Sequence, residues 1–230
     1  MDLKTMFPNL NVLWPCWSDY EVRTYDGADY LMPVSNAVVT FYNCAQRPET
    51  LVSDALELGR QVFLKVDGLN RLCAGFAVRY GLLGLETGKD VDSFRKGAVA
   101  FCYRSVNDPE YGEVLEQFQE ELLGLYRHFL RTRGELDEQD VELPVISGRL
   151  HYHLTNGLNP KIFWEANSLL AVLHLAYASL IISPVPVLKV CKNCGQVFYN
   201  AHAKSEFCGT KCRNYYNVKV YRQREKERLD

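Results

Sequence analysis

The sequence contains no Gly-x-Gly-x-x-Gly, no Walker loop, no Gly-x-Ser-x-Gly and no His-Glu-x-x-His. The short signatures of dinucleotide binding, phosphate-loop chemistry, serine hydrolysis and zinc proteolysis are therefore missing. Histidine is scarce, at five in 230 residues, which leaves few general bases. The start, Met1-Asp2-Leu3-Lys4-Thr5-Met6-Phe7-Pro8, lacks the basic cap and apolar run of an export signal. The most apolar stretch, Leu169 to Ile182, contains His174 and Ser179 and stops before Pro184. It falls short of the roughly 20 residues a spanning helix needs. These absences lead us to expect a cytoplasmic protein without a membrane segment, and not an enzyme.

What is present is a globular composition, 47% hydrophobic and 23% charged. The net charge of −2 excludes a uniformly basic coat but hides a split. From Lys189 onward there are 10 Lys/Arg against 4 Asp/Glu; the preceding residues have 16 against 24. Two modules with different partners follow from that asymmetry, the basic one being suited to phosphate contact. Ser183-Pro184-Val185-Pro186 is a stiff break between them. We read residues 1–184 as a regulatory part and 185–230 as the basic module.

The first part reads as α+β and mostly helical. Tyr30 to Val34 and Ala37 to Tyr42 are rich in β-branched and aromatic residues, with Ser35-Asn36 between them, and predict a short hairpin. Tyr25-Asp26-Gly27-Ala28 predicts a turn before it. Helical spacing begins after Pro48 (Leu51, Ala55, Leu58, Val62) and resumes at Leu69, Leu72, Cys73 and Phe76. Asp108-Pro109 predicts the start of an amphipathic helix through Phe118, Leu122, Leu125 and Phe129, closed by Gly134. A loop is expected over 135–148, then a buried helix from about Ile162 to Ile182 after Asn159-Pro160. Trp14, Trp17, Tyr20 and Tyr25 read as core, with a ligand pocket as the alternative.

The eight cysteines divide by spacing. Cys16, Cys44, Cys73 and Cys102 are single and lie in apolar surroundings, as buried free thiols do. The other four fall in two close pairs: Cys191-Lys192-Asn193-Cys194-Gly195, then Cys208-Gly209-Thr210-Lys211-Cys212. Without an export signal this is metal spacing. Four thiolates suit one tetrahedral zinc ion, and Gly195 can take the positive φ of a knuckle turn. The second pair, four positions apart, shares one side of a first helical turn. Gln196 to Asn200 and Ser205 to Phe207 read as a hairpin between the pairs, with Phe198 and Phe207 as its small core. Metal would supply folding energy that so short a module lacks.

These residues resemble a treble-clef zinc finger, and more narrowly the CGNR-type fingers at the C-terminus of bacterial proteins thought to regulate transcription. In that family the last ligand opens Cys-Gly-Asn-Arg. Here Cys212 and Asn214 match, while Arg213 and Tyr215 stand where the glycine and arginine would. The resemblance covers about residues 189–226. It implies one structural zinc on Cys191, Cys194, Cys208 and Cys212, a DNA-contacting helix, and an N-terminal part that senses a ligand.

The trailing helix supports that expectation on its own chemistry. Lys211, Arg213, Lys219, Arg222 and Arg224 alternate with Asn214 and tyrosines, a set suited to phosphate contact and base-edge reading. Glu225 and Glu227 make the distal end look like a solvated, internally paired face. Nucleic acid, with duplex DNA favoured, is the expected partner. The alternative is a structural zinc module that docks a protein; an enzyme site in the N-terminal part ranks third. The acidic part would regulate or self-associate as a homo-oligomer. His151 and His153 read as a polar surface pair rather than metal ligands, and His174 as a core histidine.

Overall fold

The computed structural model describes residues 6–7, 10–85, 110–136, 146, 149–202 and 204–229. Cys102, Asp108-Pro109 and most of the expected 135–148 loop lie outside them.

Four strands occupy the first 45 residues: β1 (Leu13–Trp17), β2 (Tyr20–Tyr25), β3 (Ala28–Pro33) and β4 (Val39–Asn43). β2 and β3 form a hairpin around Asp26-Gly27, both in the left-handed region at φ 48° and 81°. A two-residue loop of this kind matches the twist of its flanking strands. The expected hairpin between β3 and β4 does not form. β4 runs antiparallel to β1, with Trp17 opposite Val39, and the Val34–Ala37 turn only carries the chain from one sheet to the other.

Helices α1 (Pro48–Phe63) and α2 (Leu69–Tyr80) follow as the spacing predicts. The next described helix, α3 (Leu115–Thr132), begins later than Asp108-Pro109 indicated, because Glu113–Val114 is a strand, β5, on the edge of β3. Likewise Ile162–Ala166 is not helical. It is β7, paired with β6 (Leu150–Leu154), since Ile162, Phe163 and Trp164 prefer a pleated surface. The buried helix α4 (Leu169–Ile181) starts only at Ser168, whose hydroxyl accepts the Ala171 amide at 3.1 Å.

The core joins the inner faces of the helices to Trp14, Trp17, Tyr20 and Leu31. Trp14, Trp17 and Tyr20 are packed as core residues, whereas Tyr25 lies half-buried against Tyr30 outside this core; the indole of Trp14 donates to the Leu82 carbonyl at 2.8 Å. Cys16, Cys44 and Cys73 are buried free thiols, and burial pushes Cys44 up to about 12 and Cys73 up to about 11. Glu113 is fully buried, and its carboxylate accepts the amides of Leu83, Gly84 and Leu85 and the Tyr111 hydroxyl.

α1 crosses α3 at Gly59, where a Cβ would lie 2.2 Å from the Leu122 carbonyl oxygen. Gly59→Ala is therefore expected to push the two helices apart. Overpacking of this kind costs about 1–3 kcal/mol, read as a lowered midpoint in urea. An unchanged midpoint would contradict the close crossing. Among the described residues no helix is long and apolar enough to cross a membrane.

Candidate metal centre and its trailing helix

After Pro184 and Pro186 come β8 (Leu188–Val190), β9 (Val197–Tyr199) and the last helix, α5 (Thr210–Leu229). β8 and β9 pair antiparallel, with Val190 opposite Val197. Their loop is the Cys191–Gly195 knuckle: the Cys191 amide donates to the Gln196 carbonyl, and the Gly195 amide to the Cys191 carbonyl, both at 2.9 Å. Gly195 takes φ +72°, the left-handed turn that glycine makes without strain.

The hairpin is thus not the expected one. β9 pairs backward with β8 rather than forward with Ser205–Phe207, because closing the knuckle already aligns the segments on either side of it. The later segment is held through Lys192, whose amide donates to the Glu206 carbonyl at 3.1 Å and whose ammonium meets the Glu206 carboxylate at 2.6 Å. Of Phe198 and Phe207, expected as the hairpin's small core, only Phe198 is buried. Leu188 and Val197 join the main core, whereas Phe207 rests half-buried against Tyr216, ring centroids 5.2 Å apart.

Cys208 precedes α5 and Cys212 lies in its first turn, so the two sulfurs stand 3.5 Å apart. Cys194 and Cys208 sulfurs are 3.7 Å apart, and all four lie within 4.8 Å of one another. Sulfurs bound tetrahedrally to zinc at about 2.3 Å are separated by about 3.8 Å. The four cysteines therefore form a cluster that fits one metal ion such as zinc. Among the described residues no other group of three His, Cys, Asp or Glu side chains converges this way. His151 and His153 instead face Asn167 and Glu165 across the β6–β7 pair.

The electrostatics also suit a cation. Burial raises the Cys191 thiol, but the amides of Cys208, Cys194 and Asn193 and the Cys194 thiol outweigh it, leaving Cys191 at about 6. Cys194 and Cys208 move up, first from burial and then because neighbouring sulfurs compete for the same negative charge. The cluster can begin to ionise near neutral pH, but a dication is needed to hold all four as thiolates.

α5 is 20 residues long, about 30 Å at the usual rise per residue. Cys212, Tyr216 and Val220 form a half-buried stripe at four-residue spacing. Lys211, Arg213, Asn214, Lys219, Arg222 and Arg224 are all exposed. Among the described residues none of those five cations is in an ion pair, whereas Arg228 meets Glu225 at 3.5 Å near the distal end. Tyr215, Val218 and Tyr221 are also exposed on α5.

No known protein family matches the chain, and neither the curated proteins nor the solved structures hold a significantly similar one, so the likeness to CGNR-type fingers rests on the residues of the motif alone.

Proposed function

We propose that this chain holds one structural zinc ion on Cys191, Cys194, Cys208 and Cys212 and uses the helix behind it to contact duplex DNA as a transcriptional regulator. One observation carries the reading. A helix with seven cations and two carboxylates over Thr210–Leu229 is anchored at its start by the cysteine cluster and, apart from its half-buried Cys212–Tyr216–Val220 stripe, mostly exposed. A B-DNA major groove admits a helix, and phosphate contacts by Arg and Lys position it there. The four thiolates close the metal's coordination, so the ion is architectural and no catalytic step is assigned to it. A regulating ligand would be seated in a groove of about 620 Å³ between α1 and α2, lined by Asp54, Glu57, Arg71, Arg79 and, from the basic module, Gln196.

Binding to a labelled random duplex, followed by anisotropy across a salt series, tests the reading. The wild type is expected to lose affinity steeply with salt. Arg222→Ala/Arg224→Ala should flatten the log–log slope by about 2, close to one per cation removed. No binding at low salt, or equal binding by the double variant, would reject it. Exposed Tyr215, Val218 and Tyr221 would then favour the second reading, a helix that docks a protein partner.

A further inference from the structure

We infer that Arg60, on α1, is a positioning residue of the metal centre: its guanidinium, held by Glu57, faces the Cys191–Gly195 knuckle and offsets the negative charge of the thiolates. The inference rests on the metal reading above and adds a group from outside the finger to it.

Four thiolates around a dication leave an excess of negative charge, which surrounding donors must balance. Arg60 stands beside Gly195, which directly follows the exposed ligand Cys194 in the knuckle. Its Nη2 and Nε bond the two oxygens of Glu57 at 2.7 and 2.9 Å, a two-pronged grip that fixes the plane of the guanidinium. The remaining nitrogen, Nη1, points at the knuckle: it lies 3.9 Å from the place a Cβ on Gly195 would occupy.

Glu57 ties the same unit to the finger from the other side, accepting the Val197 amide at 3.1 Å. The side chains of Arg60 and Glu57 are only 20% and 13% exposed, so water screens this contact less than it would a surface pair. The arrangement is an outer shell contributed by α1. It turns the positive end of a neutral pair toward the thiolates and its negative end toward the backbone of β9.

The test is zinc release to a chromogenic chelator from the full chain, comparing wild type, Arg60→Met, Arg60→Lys and Gly59→Ala. Loss of an outer-shell partner typically costs 10–100-fold in metal affinity. Arg60→Met is expected to weaken zinc retention by about tenfold, while Arg60→Lys, which keeps the charge, stays within about threefold of wild type. Gly59→Ala, which loosens the same helix without touching its charge, should retain zinc as wild type does. Arg60→Met behaving as wild type, or Arg60→Lys and Gly59→Ala releasing zinc as fast as Arg60→Met, would overturn the inference and leave the metal reading standing. A wild-type chain that holds no zinc would overturn both.

Discussion

Serine in place of Cys191 is expected to empty the finger of metal and unfold it. Cys191 is the most buried of the four ligands, 2% exposed, and three backbone amides favour its thiolate. A serine hydroxyl stays protonated at neutral pH and cannot replace that charge. The remaining ligands would leave the ion an open position and a weaker hold. Structural zinc contributes about 10–16 kcal/mol in zinc-finger peptides, far more than so small a module can gain by burial. The consequence reaches α5. Cys212 belongs to its first turn, and beyond the Cys212–Tyr216–Val220 stripe little of it is protected. A helix without tertiary packing is marginal in water unless its sequence is strongly helix-forming. Metal analysis should therefore find no zinc in Cys191→Ser. Circular dichroism should lose up to about a quarter of the helical signal, the share of α5 among the described helical residues. A strong chelator should do the same to the wild type. A full helical signal without metal would show that the cysteines are not what holds the finger.

Glu113→Ala is expected to cost about 3–5 kcal/mol and lower the unfolding midpoint by roughly 10 °C, because three amides and a hydroxyl converge on one carboxylate. Alanine leaves those donors buried without an acceptor. Glu113→Gln keeps the volume and one oxygen, so its cost should be about half. The two variants also differ from wild type in pH dependence. Burial pushes the Glu113 carboxyl above its ordinary value of 4.5, against the pull of the four donors. The native state then binds the proton more tightly than the unfolded chain does. The stability linked to that proton is complete below pH 4.5 and is lost as the pH rises through the folded value. Glutamine removes this component, so the difference between wild type and Glu113→Gln should shrink as the pH rises across that window. Urea midpoints measured at several pH values would show it, and parallel curves would contradict it.

Local chemistry was readable from the residues, and long-range pairing was not. The ligand cluster follows from Cys-x-x-Cys spacing, a glycine after the first pair and a helical turn around the second, all within a few residues of each other. α1 and α2 follow from helical periodicity because each buries one face. The strand errors have a common cause. Tyr30 to Val34 and Ala37 to Tyr42 have strand chemistry, but their partners, β2 and β1, are selected by the Asp26-Gly27 turn and by burial of Trp14 and Trp17. Ile162 to Trp164 shares the apolar character of α4, and the break that divides strand from helix is short: Asn167 and the extended Ser168. Glu113 resembles any surface glutamate until the Leu83–Leu85 amides are placed against it. Arg60 and Glu57 gave no sign of the metal centre either, because that relation spans some 140 residues of chain.

Leu188 and Val197 belong to the same cluster of buried side chains as Trp14 and Phe118. Finger and body are therefore not freely exchangeable parts. A recombination that moved the last forty-odd residues into another protein would carry two bare apolar side chains and an amide that has lost its carboxylate acceptor. The donor would keep a gap beside α1 and an idle Arg60. Descendants of this chain should inherit the two segments together, and substitutions at Glu57, Arg60, Leu188 and Val197 should be accepted in concert rather than one at a time.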